Sequence, residues 1–292
     1  MSSIHTAAAR TTPSRVPFRP RAGGTIGTYA ILTAYACIAL FPVLLVAMNS
    51  LKTRTAIFTQ PYMPPLPGTF TIIGYQTMFE RGHFGSYFAN SAVVAGSAMV
   101  LVLLLGAMTG FALAEYPFRG NRWVGLYLAA GIMVPIRLGT VSILGLMSGL
   151  GLTNTLFALI LVYTAQGLPL ATFILQQFMR QVPRDLKDAA RIDGMSEYRI
   201  FWLVLPLVRP AVATVAVFSV IPIWNDLWFP LILAPGEATK TVTLGAQQFI
   251  GQFISDWNAM LASLTLAMLP VLALYVLVSR GLIRGLTAGA FK

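Results

Sequence analysis

The chain has 292 residues, of which 57% are hydrophobic and only 10% are charged. Soluble domains carry roughly 25% charged residues, so the composition excludes an ordinary soluble fold and implies an integral membrane protein. The net charge of +11 does not point to nucleic acid, because the basic residues flank apolar runs and do not gather in one polar stretch.

Residues 1–25 read as a disordered, basic cytoplasmic tail with Arg10, Arg15, Arg19 and Arg21 among prolines, serines and threonines. The apolar run that follows is longer than a signal-peptide core and lacks a clear small-residue cleavage site, so it is read as an uncleaved membrane helix. Its Cys37, the sole cysteine, excludes an internal disulfide and reads as a small packing residue. A helix crossing the hydrocarbon needs about 20 mostly apolar residues. Such runs are predicted at 26–50, 88–114, 123–147, 155–179, 210–234 and 261–283. Backbone groups in lipid must be paired within the segment, so the fold class is all-α: a polytopic membrane protein with six transmembrane helices. Pro135, Pro222 and Pro270 fall inside spans and predict bends.

Six spans put both termini on one side. With that side cytoplasmic, only Lys52, Arg54, Arg81, Arg137 and Lys240 lie toward the outside, as positive-inside topology requires. Two longer connections lie outside, at 51–87 and 235–260. The second is expected to meet a substrate-delivering protein or to cap the bundle.

The loop 181–206 between the fourth and fifth spans is polar and predicts two short helices. Pro183 suits a first helical turn, and Asp185 favours a helix N-terminus. Leu186, Ala189, Ala190 and Asp193 share one face, while Arg184, Lys187, Asp188 and Arg191 point elsewhere. Gly194 is the stop, which gives a 183–194 helix of about 16 Å at 1.5 Å per residue. Ser196 predicts a cap for a second helix through Tyr198, Ile200, Phe201 and Trp202. Pro206 is expected to end it, with Pro210 opening the fifth span. Helices below about 12–15 residues are marginal alone, so both need a partner. For the aromatic second helix that partner is the protein's own membrane helices. For the first it is either those helices or a separate protein docked on Ala189 and Ala190.

Asp188-Ala189-Ala190, followed by Gly194 and then Leu205-Pro206, resembles the "EAA" loop of permease subunits of ATP-binding-cassette importers. Trp224-Asn225-Asp226, Asp256-Trp257-Asn258 and the ending Arg284 to Lys292 resemble carbohydrate-importer permeases of the maltose-transporter type, specifically the six-span partner of the pair. The resemblance covers about residues 26–292. Asp188 stands where the usual residue is Glu, and the interval from Gly194 to Leu205-Pro206 is one residue shorter than usual. The resemblance implies a type I importer permease fold in a bacterial cytoplasmic membrane, moving a sugar, oligosaccharide or related solute. It implies that Leu186, Asp188, Ala189, Ala190, Asp193 and Gly194 couple the chain to an ATPase. The implied partners are a second homologous permease, two ATPase subunits and an extracytoplasmic solute-binding protein.

Two ionisable residues, Arg137 and Asp226, interrupt apolar runs. At a helix centre such groups cost on the order of 2.5–3.5 kcal/mol, and they usually face a cavity or a partner. They either pair with each other, fixing the third span to the fifth, or line a translocation path together with Asn225 and Trp224. In a path, the polar groups would meet sugar hydroxyls, Trp224 would stack on a sugar face, and the arginine would suit an anionic sugar or glycerol-phosphate-type solute. No His-Glu-x-x-His pair, nucleophile-base set or phosphate-binding Gly-x4-Gly-Lys-Ser/Thr loop is present. The chain is therefore expected to be no enzyme, with no catalytic residue, metal or cofactor of its own. ATP and Mg would sit on another subunit. A stand-alone secondary transporter is the competing reading, and a six-span chain without repeats fits it less well.

Overall fold

The computed structural model describes residues 22–250 and 256–290, with side chains described except at 22–25, 81 and 277–290. The predicted tail lies outside these residues apart from its last four, which already belong to the first helix. The side chains of the C-terminal ending likewise lie outside them. The chain divides into two units, residues 1–45 and 46–292. Most of α1 (Ala22–Asn49), an apolar helix containing Pro42, belongs to the first.

Among the described residues of the second unit the regular elements are helices, with one isolated bridge between Lys52 and Phe70. In chain order they form α2 (Arg54–Thr59), α3 (Ile73–Arg81), α4 (Phe84–Glu115), α5 (Asn121–Met133), α6 (Thr140–Gly149), α7 (Leu156–Arg180), α8 (Arg184–Ile192) and α9 (Glu197–Val204). There follow α10 (Arg209–Asn225), α11 (Trp228–Leu233), α12 (Val242–Gln247) and α13 (Trp257–Ala290). Five helical stretches are long and apolar enough to cross a membrane, and a bent pair makes six. The predicted number of spans therefore stands, but two of the predicted runs are divided into separate helices, a larger break than the bends expected from their prolines.

The run predicted as one helix over 123–147 is broken. α5 and the segment Ile136–Gly149 meet at 87°, because Pro135 has no N–H to give and drives Val134 to an extended ψ of 118°. The fifth predicted span, 210–234, stops at Asn225 and restarts as α11. Asp226 is extended, at ψ 136°, and its carboxylate accepts the free N–H groups of Trp228 at 3.3 Å and Phe229 at 3.1 Å. Conversely, Pro206 does not end the second loop helix. It sits in a 3-10 turn, Leu205–Val208, that carries α9 into α10, so 197–225 reads as one span. A proline in a first turn removes a donor that had no helical acceptor.

α4 and α7 form the central pair. Gly106 and Gly110 lie one turn apart on α4 and let it press on α7. An added Cβ would stand 2.8 Å from the Ala171 methyl at the first and 3.0 Å from the Gln176 backbone nitrogen at the second. Small residues at this spacing are how membrane helices gain dispersion contacts, since lipid supplies no hydrophobic drive between them. At the loop end, Phe111, Leu175, Met179, Ile200, Phe201, Val204 and Ala211 bury one cluster. A second joins Val94, Leu159, Tyr163, Phe229 and Leu233.

The far end is capped by the connections expected to lie outside. Lys52 is buried, and its ammonium donates to Asn49 Oδ1 at 3.0 Å and the Gln60 carbonyl at 2.9 Å. Its own carbonyl accepts from Asn258 Nδ2 at 2.6 Å. The segment 235–250 folds onto α4: Tyr87 donates to Glu237, and Asn90 donates to the carbonyls of Ala238 and Lys240 at 2.9 and 3.0 Å. This segment does cap the bundle.

Candidate functional site

The first loop helix, α8, is two residues shorter at its end and one shorter at its start than the 183–194 expectation. Pro183 stands outside it as N-cap, at φ −53° and ψ 136°, and Asp193 is its C-cap. Gly194 then turns left-handed, at φ +77°. The Met195 N–H reaches back to the Ala190 carbonyl and the Gly194 N–H to that of Arg191, both at 3.0 Å. These are the two bonds of a Schellman ending. Met195 packs against the cluster that holds Ala190, which completes the motif's apolar contact. The predicted cap at Ser196 occupies the right position, but its side chain makes no capping bond.

The predicted face of α8 is only partly what the structure shows. Leu186, Asp188, Ala189 and Asp193 are exposed, and Ile192 joins them at 86% exposure. Ala190 does not share that face. It is 5% exposed and lies with Met179, Ile200 and Val204 inside the chain's own core.

An ion cluster, buried at Glu115 and Lys187 and open at its rim, fixes the inner side of α8 to the permease. Glu115 ends α4, and its carboxylate takes the Lys187 ammonium on one oxygen and Arg191 Nη2 on the other at 2.7 Å. Arg191 also reaches Asp188 at 2.8 Å and Glu197 at 2.9 Å, and the Tyr116 hydroxyl donates to Glu197 at 2.6 Å. The Lys187 side chain is only 5% exposed. Bonds to Glu197, then to Glu115, raise Arg191 above its ordinary pKa. Burial, then the Glu197 carboxylate, pushes the Tyr116 phenol up to about 12, so it remains a donor. Thus α4, α8 and α9 are tied at one knot. Sequence reasoning missed Glu115, Tyr116 and Glu197. The available signal was that Glu115 is the only charged residue in the 32 residues of α4.

A second constellation lies at the breaks in the third and fifth spans. Arg137, in the 3-10 turn Ile136–Gly139, pairs with Asp226 at 3.1 Å. Tyr163 of α7 donates to the other Asp226 oxygen at 2.9 Å. The Arg137 guanidinium lies 6.0 Å from the Trp228 ring centre, and Trp228 Nε1 donates to Thr140 Oγ1 at 2.9 Å. A cavity of about 290 Å³ adjoins Tyr163 between α7 and α10, with Gln166 and Ser219 as its further polar groups. The structure thus joins Arg137 to Asp226, one of the two arrangements left open by the sequence, but does not bring Trp224 to them. Trp224 is buried, donates to the Ala267 carbonyl at 2.9 Å, and meets Phe88 edge-on at 5.2 Å. These contacts dock α10 on α13, and the buried ring presents no open face to a sugar in this structure. Asn225 is exposed and donates to its own helix at Ile221, 2.9 Å away. Among the described residues no group of His, Cys, Asp and Glu is arranged to hold a metal.

The two members of the ion pair differ in weight. The Arg137 side chain is 65% exposed and that of Asp226 only 9%. Exposed pairs contribute about 0–1 kcal/mol, whereas a buried acceptor that loses its role leaves several donors unmatched. Asp226→Ala is expected to lower the thermal unfolding temperature in detergent well beyond Arg137→Gln, which should stay close to wild type. Equal shifts for the two would show that the ion pair, and not the capped break, holds the third and fifth spans together.

Residues 102–288 match the family described as "Binding-protein-dependent transport system inner membrane component". The chain belongs to this family of permeases. Among its relatives, the diacetylchitobiose uptake system permease protein NgcG of Streptomyces coelicolor is 33% identical, over 91% of this chain and 88% of that one. The arabinooligosaccharides transport system permease protein AraQ of Halalkalibacterium halodurans is 32% identical, over 88% and 92%. In structure the permease resembles a chain of a bacterial ABC transporter involved in the import of the acidic polysaccharide alginate, with TM-score 0.76 and 21% identity over 91% of this chain and 99% of that one. The expected carbohydrate-importer permease family and all-α importer fold are borne out. The permease is a multi-pass inner-membrane transport component and not an enzyme, and the stand-alone secondary transporter is set aside.

Proposed function

We propose that this permease is the membrane subunit of an ATP-driven importer for a sugar or oligosaccharide, and that α8 is its coupling helix. Both termini and α8 face the cytoplasm. A separate ATPase subunit receives the exposed row Leu186, Ala189, Ile192 and Asp193, and supplies the ATP and Mg chemistry that this chain lacks. A second, homologous permease, a second ATPase copy and an extracytoplasmic solute-binding protein complete the assembly. The sugar class rests on the named cargoes of the relatives.

The observation that carries this reading is the asymmetry of α8. One side is welded to the permease through Glu115, Lys187 and Arg191, while the other shows an isoleucine at 86% exposure on a nine-residue helix. A short helix exposing an apolar row is stable only against a partner. A push on that row passes through the ion knot into α4, which packs on α7, and through α9 into α10; α7 and α10 are the helices that border the 290 Å³ cavity beside Tyr163.

The test is uptake by the whole assembly in proteoliposomes. Labelled oligosaccharide should enter only with ATP on the ATPase side, and Ala189→Trp should cut the rate at least about tenfold, the effect of losing about 1.4 kcal/mol of docking. Uptake without ATP, or full-rate uptake by that variant, would overturn the reading. Ala190→Trp is not a test of docking, because it overfills the permease's own core.

A further inference from the structure

Beside the ion knot lies a pocket of about 590 Å³, lined by Arg122 at the start of α5, Arg180 at the end of α7, and Arg184 at the start of α8. Among the described residues none of these three guanidinium groups has a carboxylate within ion-pair distance. Glu115 also lines the pocket, but its oxygens are already engaged, one by Lys187 and the other by Arg191. The neighbouring cations are thus neutralised and these three are not, which leaves a local excess of positive charge facing one concavity.

The position is as informative as the charge. Arg122 and Arg180 stand at the ends of helical stretches long and apolar enough to cross a membrane, Arg122 on the bent pair that begins with α5, and such ends fall where hydrocarbon gives way to headgroups. Trp123 at the same level is 75% exposed, and Phe118 at the pocket rim is exposed too. Amphipathic rings collect at this depth. Beyond them Leu126 and Tyr127 keep the side of α5 apolar and exposed, which gives acyl chains a surface to lie along. Guanidinium forks match phosphate oxygens in pairs, and basic pockets between membrane helices are suited to anionic headgroups.

From this geometry we infer that the pocket formed by Arg122, Arg180 and Arg184 binds the phosphodiester headgroup of an anionic phospholipid. The lipid pins the start of α5 to the end of α7 and the start of α8, so it braces the loop helix from the membrane side. The site depends only on this end of the bundle lying at a membrane surface, and not on which cargo is carried or on where the ATPase docks.

The experiment uses the complete assembly in neutral detergent. Phospholipid retained after extensive washing is quantified by mass spectrometry for wild type and for the combined variant R122Q/R180Q/R184Q. Thermal unfolding of the wild type is followed on adding phosphatidylglycerol, phosphatidylcholine or inorganic phosphate. The wild type should retain anionic phospholipid, and the triple variant should retain it about a hundredfold less, from about fivefold for each basic residue at an anionic surface. Phosphatidylglycerol, but neither phosphatidylcholine nor phosphate, should raise the unfolding temperature. Equal retention by the variant, equal stabilisation by phosphatidylcholine, or a matching shift with inorganic phosphate overturns the proposal, the last by showing a free-phosphate site. The wild-type comparison needs no variant to fold, so it decides the matter even if the triple substitution fails to accumulate.

Discussion

Gly194→Val is expected to abolish ATP-driven uptake while leaving the permease inserted at its normal level. The cause is backbone conformation and not crowding: Gly194 sits at φ +77°, and a Cβ added there would meet nothing within 4 Å. An L-residue held left-handed costs roughly 1–2 kcal/mol, and a β-branched one more. The chain relieves that strain by giving up the left-handed turn, and with it both Schellman bonds from Gly194 and Met195. The end of α8, with Ile192 and its C-cap Asp193, then loses its geometry. The membrane spans are untouched, so insertion and assembly of the bundle proceed. Gly194→Asn is the informative partner, because asparagine tolerates this region and also ends helices. Uptake, membrane level and ATPase activity measured for the set should show valine near background and asparagine close to wild type. If asparagine fails as badly as valine, the backbone turn is not the reason.

Glu115→Ala is expected to be the most destabilising single substitution at the loop end. It leaves the Lys187 ammonium, 5% exposed, without its counter-ion, and breaking one side of a buried pair costs about 3–5 kcal/mol. Arg191 suffers less, because Asp188 and Glu197 still hold it. The expected result is a large fall in the unfolding temperature of the detergent-solubilised assembly and loss of uptake, since α8 is no longer fastened to α4. The double variant Glu115→Met with Lys187→Met removes both charges and keeps comparable volume. Such replacements of buried pairs are often neutral, so most of the lost stability should return. If Glu115→Ala unfolds at the wild-type temperature and transports normally, the knot does not anchor the loop. If the double variant is no better than the single one, an uncompensated charge is not the cause.

The spans were legible because bilayer thickness imposes a length and an apolar composition that few other folds share. Their interruptions were legible only where one residue type dictates them. Pro135 announced its bend, but the division at Asp226 depends on the carboxylate turning to cap α11, and an apolar run with one acid does not display that choice. Gly194 was legible as a helix stop for the same local reason. The rotation of α8 was not, because it is fixed by Glu115, a residue 72 positions from Lys187. Helical spacing placed Ala189 and Ala190 side by side, and only that distant carboxylate decides which of them faces inward. Trp224 misled similarly. A tryptophan beside Asn and Asp suits a sugar, yet its indole N–H is committed to Ala267 on α13.

The central claim is that the exposed row of α8 is the surface grasped by a separate ATPase. It is tested most directly by site-specific crosslinking in the assembled transporter, with Cys37 replaced by serine and a single cysteine introduced at either Ile192 or Ala190. The account predicts a high-yield crosslink to the ATPase from position 192 and none from position 190, which is buried in the permease core. No crosslink from position 192, or equal yields from the two, would contradict it.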